Sequence, residues 1–256
     1  MKIVGIIPAR MASTRLPGKP MIKIRGLPMI GHVYFRSKMS ESLDGLYVAT
    51  CDEEIFDYIK GIGGRAIMTS SEHSRATERT AEALKEIEKE RNEIFEVAVM
   101  IQGDEPMVFP EMIDSALRPF MVETGFQVVN LMTLVGAEKK AYDPNEVKVV
   151  IDQAGYALYF SRQLIPSLEK TRADIAVYKQ VCVVPFWRDF LVNFVDLEST
   201  PLEKIESIDM LRVLEHGYRV KMVETKYNTH SVDSEDDLVK VEELMAEDPL
   251  LPHYIN

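Results

Sequence analysis

The sequence predicts an α/β fold with a mixed, mainly parallel sheet, and two patterns support this. Short β-branched strands alternate with amphipathic helices over the first 120 or so residues, which is typical of βαβ units. After Gly125 three strand-like segments follow one another, with a hairpin turn at 153–155 between the last two. We therefore expect a single domain over residues 1–256, with an antiparallel insertion within 126–186.

The first elements follow from apolar runs and capping residues. Residues 2–7 are almost wholly apolar, which predicts a strand that is buried on both faces and that Pro8 ends. Apolar spacing predicts a helix over 29–39, and a second strand covers 45–49. Asp52 is predicted to cap the next helix, which ends at a pair of glycines.

The alternation of strands and helices continues along the chain. We predict a short strand at 65–68, a long surface helix over 76–90 and a buried strand at 97–101. Residues 177–186 return to a buried strand after the insertion. Crossover connections between parallel strands are right-handed in nearly all proteins, which restricts the topology further.

The C-terminal part of the chain contains two predicted helices. Helical spacing over 202–217 indicates one continuous helix that Gly217 ends. Its apolar face would consist of Ile205, Ile208, Leu211 and Leu214. A strand at 218–225 and a final helix capped by Ser234 follow, and the tail at 249–256 is expected to pack against the body.

The composition is that of an ordinary globular protein, and its charge limits the classes of partner that the chain can bind. The 256 residues carry a net charge of −11, and 46% of them are hydrophobic, which is enough for a core without disulfide bonds. A net negative chain is a poor ligand for nucleic acid, whose phosphates bind clustered Lys and Arg. Cys51 and Cys182 form no CxxC motif and are predicted to be free, buried thiols. No apolar run is long enough to span a membrane, so we expect a soluble, cytoplasmic protein.

A polar loop with three cations follows the first predicted strand. Arg10, Arg15 and Lys19 are interleaved with small residues such as Ser13 and Gly18. Arg offers bidentate recognition of phosphate, Lys offers a mobile charge, and glycine lets backbone N–H groups approach an anion. The spacing is neither GxxxxGK[ST] nor GxGxxG. The residues alone leave two interpretations open, a solvated basic loop and a triphosphate site.

Two aspartates follow predicted strands further along the chain. Asp104 comes soon after the strand at 97–101, and Asp233 precedes the last helix. Each alone is as typical of a turn or a helix cap as of a metal site. Two carboxylates 4 Å apart repel by about 4 kcal/mol at an effective dielectric constant of 20, and a divalent cation between them removes that repulsion. If the two side chains meet, we expect Mg²⁺ to link them.

Five segments occur in an order that is typical of one enzyme family. They read IPARMASTRLPGKP, QGDEP, NEVKVVIDQAGYALYFSRQLIP, PLEKIESIDMLRVLEHG and SVDSEDDL. Through them, the chain from about residue 1 to 245 resembles the CMP-Kdo synthetases, which are 3-deoxy-manno-octulosonate cytidylyltransferases. The first segment is specific to this family and to related sugar-acid cytidylyltransferases, whereas QGDEP alone is less specific.

This resemblance implies a fold, an activity and an assembly. The fold would be nucleotide-diphospho-sugar transferase-like, a Rossmann-like α/β sheet, with the antiparallel insertion forming a homodimer. The activity would be the Mg²⁺-dependent transfer of CMP from CTP to the anomeric hydroxyl of a 3-deoxy-2-ulosonic acid, with release of pyrophosphate. Such a reaction activates the sugar for lipopolysaccharide or capsule.

The resemblance also assigns roles to individual residues. Catalytic roles are implied for Arg10, Lys19, Asp104 and Asp233, and the two aspartates would bind the metal. Nucleotide binding is implied for Ala9, Arg10, Ser13, Arg15, Lys19, Ser74, Thr77 and Gln102. Sugar-acid binding is implied for Arg79, Arg162, Gln180, Glu206 and Asp209.

Besides Cys51, which stands where the family often has Asp, three residues depart from the family pattern. Arg75 stands where small residues are usual, Gln180 stands where a His is associated with sugar-acid binding, and Asp209 replaces a Glu. These departures imply a related but different acceptor, such as 8-amino-3,8-dideoxy-manno-octulosonate or a shortened ulosonic acid. A non-catalytic CTP-binding homologue and a transferase that uses UTP or ATP are the other interpretations.

Overall fold

The structure is a computed structural model that describes residues 1–12, 16–135, 141–167 and 176–255. Its strands are β1 (Ile3–Ala9), β2 (Lys23–Ile24), β3 (Leu27–Pro28), β4 (Gly45–Thr50), β5 (Ala66–Met68), β6 (Val97–Ile101), β7 (Val128–Leu134), β8 (Lys148–Ile151), β9 (Ala157–Ser161), β10 (Tyr178–Val181), β11 (Val183–Trp187) and β12 (Val220–Glu224). Its α-helices are α1 (Met29–Ser37), α2 (Glu53–Gly61), α3 (Ala76–Arg91), α4 (Pro110–Val122), α5 (Arg188–Phe194), α6 (Pro201–Glu206), α7 (Asp209–Glu215) and α8 (Glu235–Met245). Short 3₁₀ turns cover Lys19–Met21 and Leu251–His253.

Ten of the described strands form one sheet. Their order is β5-β4-β1-β6-β11-β7-β10-β8-β9, and β12 pairs with β7 off this path. The pairings set β1, β4, β5, β6, β7, β8 and β12 in one direction and β9, β10 and β11 in the other. The predicted mixed, mainly parallel sheet is therefore confirmed, and β2 pairs with β3 in a separate hairpin.

Helices cover both faces of this sheet. Helices α3, α5 and α7 contribute to one apolar cluster, together with Val4 and Ile6 of β1. Helices α1, α2 and α4 contribute to a second cluster, together with Ile3 and Ile7. A three-layer arrangement of this kind leaves the carboxyl ends of the parallel strands open for loops, which is where α/β proteins bind ligands.

The first strand runs one residue beyond the proline that was predicted to end it. Pro8 lies inside β1, which continues to Ala9. The pairing of β1 with β6 extends only to Ile6, whereas its pairing with β4 continues to the end of the strand. Proline lacks an N–H donor, so a strand tolerates it where the ladder on one side has already ended.

The C-terminal tail packs against the body of the protein, as predicted, and its contact there is helix α1. Arg36 of α1 is fully buried, and its guanidinium donates to both carboxylate oxygens of Asp248 at 2.8 and 3.2 Å. Tyr254 lies 2.9 Å from His32 through its hydroxyl and stacks on Phe35. The tail is therefore held by buried polar contacts and by ring stacking.

The predicted hairpin is present. Strands β8 and β9 are antiparallel and are joined by a turn in which Gly155 adopts a φ of 77°. With β10 they form one edge of the sheet. The segment 177–186, predicted as one strand, is two strands separated at Cys182, which let one stretch of chain pair with β7 from two sides.

The predicted continuous helix over 202–217 is wrong. The chain forms α6 and α7 instead, with Ser207 between them at a φ of 55°. The guanidinium of Arg162 donates to the backbone carbonyls of Glu206 and Ser207, which takes up oxygens that a continuous helix would use internally. Ile205, predicted to lie on the apolar face, is 79% exposed.

Helix α8 packs against the polar loop that follows β1. A third apolar cluster joins Leu16 and Ile24 to Val232 and to Val241 of α8. Ser234 caps α8 as predicted, since its side chain accepts from the backbone of Asp237. Within the described ranges no helix combines the length and the apolar character needed to cross a bilayer.

Candidate active site

The loops at the carboxyl ends of β1 and β6 open into a cavity of about 450 Å³. The start of α3, strand β10, the turn between α6 and α7 and the segment before α8 contribute to its wall. Its lining includes the predicted site residues Ala9, Arg10, Lys19, Ser74, Arg79, Gln102, Asp104, Arg162, Gln180, Asp209 and Asp233. Thr77 and Glu206 do not line it, and Ser13 and Arg15 lie outside the described residues.

Lys19 lies between the two aspartates that the sequence singled out. Its Nζ donates to Asp104 Oδ2 at 2.8 Å and to Asp233 Oδ1 at 2.9 Å. Burial lowers the pKa of Lys19, but the two carboxylates outweigh burial, so the pKa is raised. The predicted meeting of Asp104 and Asp233 is therefore present, and a lysine ammonium joins them.

The loops that carry these residues are tied together through the backbone. The N–H of Val232 donates to the carbonyl of Asp104 at 3.0 Å. The N–H of Asp233 donates to Asp237 at the start of α8. Gly18 precedes Lys19 in the left-handed region, with a φ of 70°, and this turn directs the chain into the 3₁₀ segment. Both aspartates are thus positioned by main-chain bonds.

Asp104 has an atom without a partner. Its Oδ1 is buried and makes no hydrogen bond to any residue that the structure describes. Among the described residues no group of three or more His, Cys, Asp or Glu side chains is arranged to hold a metal ion. Mg²⁺ commonly takes only one or two carboxylates and completes its shell with water and substrate phosphates. The pair Asp104 and Asp233 therefore fits such an ion.

Asp52 has a different role from the predicted one. It occupies the N-cap position of α2, but its side chain makes no capping hydrogen bond. Its Oδ2 instead accepts from the backbone N–H of Met11 at 2.8 Å. Arg10, the preceding residue, donates to the carbonyl of His73 at 3.3 Å. Asp52 therefore anchors the start of the cationic loop, a role that the capping pattern of the sequence conceals.

Arg75 and Thr77 both contact Asp209. The hydroxyl of Thr77 donates to Asp209 Oδ2 at 2.7 Å. Arg75 lies 3.5 Å from Asp209 Oδ1 through Nη1, which also donates to Ser207 at 2.9 Å. Burial raises the pKa of Asp209, while the contacts with Thr77 and Arg75 oppose the rise. Arg75 and Asp209, which both depart from the family pattern, are thus partners of one another.

Glu206 and Arg162 hold the hairpin against the turn after α6. Glu206 accepts from the hydroxyl of Ser161 at 2.8 Å and from the backbone of Arg162 at 2.9 Å. The guanidinium of Arg162 donates to three backbone carbonyls, including that of Pro144 at 2.9 Å. Both residues therefore shape the cavity wall through contacts within the protein.

Arg79 supplies a buried cation to the wall. It is only 3% exposed, and its Nη1 donates to the side chain of Thr69 and to the carbonyl of Ser70. Its Nη2 is buried and has no hydrogen-bond partner in the described part of the chain. A buried guanidinium nitrogen without a partner in a cavity wall is suited to an anionic ligand.

Three charged residues of the wall were not predicted from the sequence. Lys179 pairs with Glu146 at 2.9 Å, and both line the cavity. Glu105 also lines it, and burial together with the neighbouring Asp104 charge raises the pKa of Glu105 to about 7. Glu105 follows Asp104 within the QGDEP segment, so its position in the sequence could have identified it as a site residue. Lys179 lies within a strand, and its sequence context does not mark it as a site residue.

The two cysteines are free thiols, as predicted. Both are partly exposed, which corrects the expectation that they are buried, because each lies just beyond the end of a strand. Desolvation raises the pKa of the Cys182 thiol well above its ordinary value, and the Glu105 and Asp104 carboxylates raise it further. A thiol held protonated in this way is a poor nucleophile.

Comparison with known proteins identifies the family of this chain. A family model described as cytidylyltransferase matches residues 4–225. The 3-deoxy-manno-octulosonate cytidylyltransferase of Arabidopsis thaliana, described as mitochondrial, is 41% identical over 96% of this chain and 84% of its own length. The enzyme of the same name from Fusobacterium nucleatum is 41% identical over 94% of this chain and 96% of its own length.

A solved structure shares the fold as well as the sequence. It is that of a CMP:2-keto-3-deoxy-manno-octonic acid synthetase complexed with CTP, and it is 34% identical to this chain. The two superpose with a TM-score of 0.88 over 96% of this chain and 99% of the other. The chain belongs to the cytidylyltransferase family and is an enzyme of the nucleotidyltransferase class.

Proposed function

We propose that this chain transfers CMP from CTP to the anomeric hydroxyl of 3-deoxy-manno-octulosonate or a closely related 3-deoxy-2-ulosonic acid and releases pyrophosphate. The observation that carries the proposal is the placement of Lys19 between Asp104 and Asp233 in a cavity that Arg10 also lines. The names of the relatives, which combine this sugar acid with cytidylyl transfer, support it.

The cations of the site would stabilise the charge that develops during transfer. When the acceptor hydroxyl attacks the α-phosphorus of CTP, negative charge builds on the oxygen that bridges to the β-phosphate. Fixed cations aimed at such an oxygen stabilise the transition state more than the ground state. The raised pKa of Lys19 keeps its ammonium protonated at neutral pH, so it would serve as a charge and not as a base.

Asp104 and Asp233 would hold Mg²⁺ when CTP is bound. Two carboxylates supply the protein ligands, and the unpartnered Oδ1 of Asp104 is one free position. A bound magnesium ion neutralises phosphate charge and orients the reactants. The carboxylates themselves position Lys19, so their role in the site does not end with the metal.

The acceptor would enter beside two guanidinium groups at the start of α3. Arg79 of α3 offers a carboxylate a buried nitrogen that has no partner among the described residues, and Arg75, the N-cap residue of α3, lies on the same wall. A second candidate acceptor is 8-amino-3,8-dideoxy-manno-octulosonate. The observation that favours it concerns Glu105, which lines the cavity. Its buried Oε2 has no partner among the residues described and is suited to a donor group such as an ammonium.

The assembly would be a homodimer formed through the insertion. Leu134, Tyr142 and Leu158 are 46%, 60% and 61% exposed at or near the β10-β8-β9 edge, and a second copy of the chain would cover them. The free thiols Cys51 and Cys182 are suited to a reducing compartment, so we place the enzyme in the cytoplasm.

A pyrophosphate-release assay tests the proposed reaction. The enzyme is supplied with Mg²⁺ and with CTP, UTP or ATP, each against 3-deoxy-manno-octulosonate, its 8-amino analogue and a shortened ulosonic acid. We expect release with CTP and at least one eight-carbon acid. Binding of CTP without release would identify a non-catalytic homologue, and faster release with UTP or ATP would overturn the nucleotide assignment.

A further inference from the structure

A chain of hydrogen bonds runs from the sheet into the cavity wall through two amide side chains. Asn130 of β7 is fully buried. Its Nδ2 donates to the backbone carbonyl of Val181 at 2.7 Å and to that of Leu131 at 2.9 Å. Its Oδ1 accepts from Nε2 of Gln180 at 2.5 Å. Gln180 in turn lines the cavity.

The backbone decides which way each amide faces. Carbonyl oxygens only accept, so the two carbonyls next to Asn130 require its Nδ2. The Oδ1 of Asn130 must then face Gln180, and Gln180 must present its own Nε2 to that oxygen. Reversing Gln180 would oppose two acceptors in a buried position, and reversing Asn130 would lose two hydrogen bonds. The orientation of the Gln180 amide is therefore imposed from the sheet.

This orientation leaves the carbonyl oxygen of Gln180 on the other side of the amide. Within the described part of the chain, the side-chain hydrogen bond of Gln180 is the one that its Nε2 donates to Asn130, which leaves Oε1 for a ligand. We propose that Asn130 is a positioning residue for acceptor selection, which makes Gln180 present a hydrogen-bond acceptor to the sugar. Gln180 then binds a donor group of the acceptor, a hydroxyl or an ammonium, and does not bind its carboxylate. This inference rests on the proposed function.

Other residues of the wall are consistent with a carboxylate site that lies apart from Gln180. The buried, unpartnered Nη2 of Arg79 lines the same cavity and supplies the cationic site that a carboxylate requires. Lys179, the neighbour of Gln180 in β10, pairs with Glu146 at 2.9 Å. The cation next to Gln180 is thus neutralised within the protein, and Gln180 itself carries no charge.

A matched pair of variants isolates the positioning role. The Val and Thr side chains of Asn130→Val and Asn130→Thr have nearly the same volume. Only the Thr hydroxyl can accept a hydrogen bond from Gln180 and donate one to the backbone carbonyl of Val181. We expect Asn130→Val to raise the acceptor KM by about threefold to tenfold, the loss of one hydrogen bond. We expect Asn130→Thr to show only a small part of this rise in the acceptor KM. The KM for CTP should change less than twofold in both, and Tm identifies any loss of folding.

A double-mutant comparison tests whether Asn130 acts through Gln180. In a Gln180→Leu background, Asn130→Val should have no further effect on the acceptor KM. Equal acceptor KM values for the Val and Thr variants, or additive effects in that background, would overturn the positioning role.

Gln180→Lys distinguishes a donor from a carboxylate at this position. A lysine there places a cation where we infer that the sugar offers a donor, so the acceptor KM should rise. A lower KM would mean that the carboxylate binds here and would overturn the proposal. These comparisons require turnover by the unmodified enzyme, so absence of pyrophosphate release with every acid counts against the proposed function and not against the role of Asn130.

Discussion

Lys19 shows at the scale of single residues how one side chain can organise a site. It contacts two carboxylates that lie on different loops, and its pKa is raised because their charges outweigh its burial. An ammonium held in this way has a fixed position before any nucleotide arrives. Preorganisation of that kind is the main source of electrostatic catalysis, because no reorganisation is needed during the reaction.

The metal assignment predicts the effect of removing either carboxylate charge. Asp104→Asn and Asp233→Asn each keep an oxygen that accepts from Lys19 but lose the charge that would hold Mg²⁺. We expect kcat to fall by at least about 10²-fold to 10³-fold in each, with a Tm close to that of the unmodified enzyme. Pyrophosphate release over a range of Mg²⁺ concentrations measures this. Near-normal rates in either variant would show that the metal is not held here.

Gln180 predicts a change of acceptor preference. We expect Gln180→His to shift relative kcat/KM toward unmodified 3-deoxy-manno-octulosonate and away from its 8-amino analogue. The physical reason is that a protonated imidazole only donates, whereas the amide of Gln180 retains a carbonyl oxygen. Competition between the two acids at a fixed CTP concentration gives the ratio directly. An unchanged ratio would mean that Gln180 does not determine the acceptor preference.

At the scale of elements, helix α1 and the tail form a buried polar contact with a pH dependence. His32 is fully buried between the carbonyl of Ile24 and the hydroxyl of Tyr254. Burial lowers the pKa of His32, and the charge of Arg36 lowers it further. The folded protein therefore binds this proton less readily than the unfolded chain does.

This difference predicts a loss of stability in acid. As the pH falls below about 6.5, the ordinary pKa of histidine, the unfolded chain takes up the proton first, so the free energy of unfolding falls. We expect that fall between pH 7 and pH 5 to be smaller in His32→Gln, which has no proton to gain. Urea unfolding at the two pH values measures it. Equal losses in both proteins would contradict the prediction.

Element boundaries depended on contacts that no local pattern records. The hairpin of β8 and β9 was predictable because strand periodicity and turn residues agree. The break between α6 and α7 was not, because Arg162, distant in the sequence, competes for the carbonyls of Glu206 and Ser207. A tertiary hydrogen bond can thus end a helix whose apolar spacing continues.

At the scale of the whole molecule, the sheet edge that carries the hairpin determines the proposed assembly. We expect light scattering to give the mass of a dimer and Leu158→Asp to give that of a monomer, because the exposed side chain would place a charge in an apolar interface. Val239→Asp is the matched control, since Val239 is 58% exposed on α8 and outside the insertion. A monomeric unmodified protein, or equal effects of both changes, would contradict the proposal.

The sequence by itself determined the α/β class, most of the strands and helices, and the family, because strand periodicity, capping residues and ordered motifs are local properties of the chain. It also singled out Lys19, Asp104 and Asp233. Only the tertiary structure decided that the lysine ammonium lies between the carboxylates, that Arg162 is engaged with backbone carbonyls, and that Asn130 orients Gln180. Such contacts join residues that are far apart in the chain, and only packing of the whole sheet brings them within hydrogen-bonding distance.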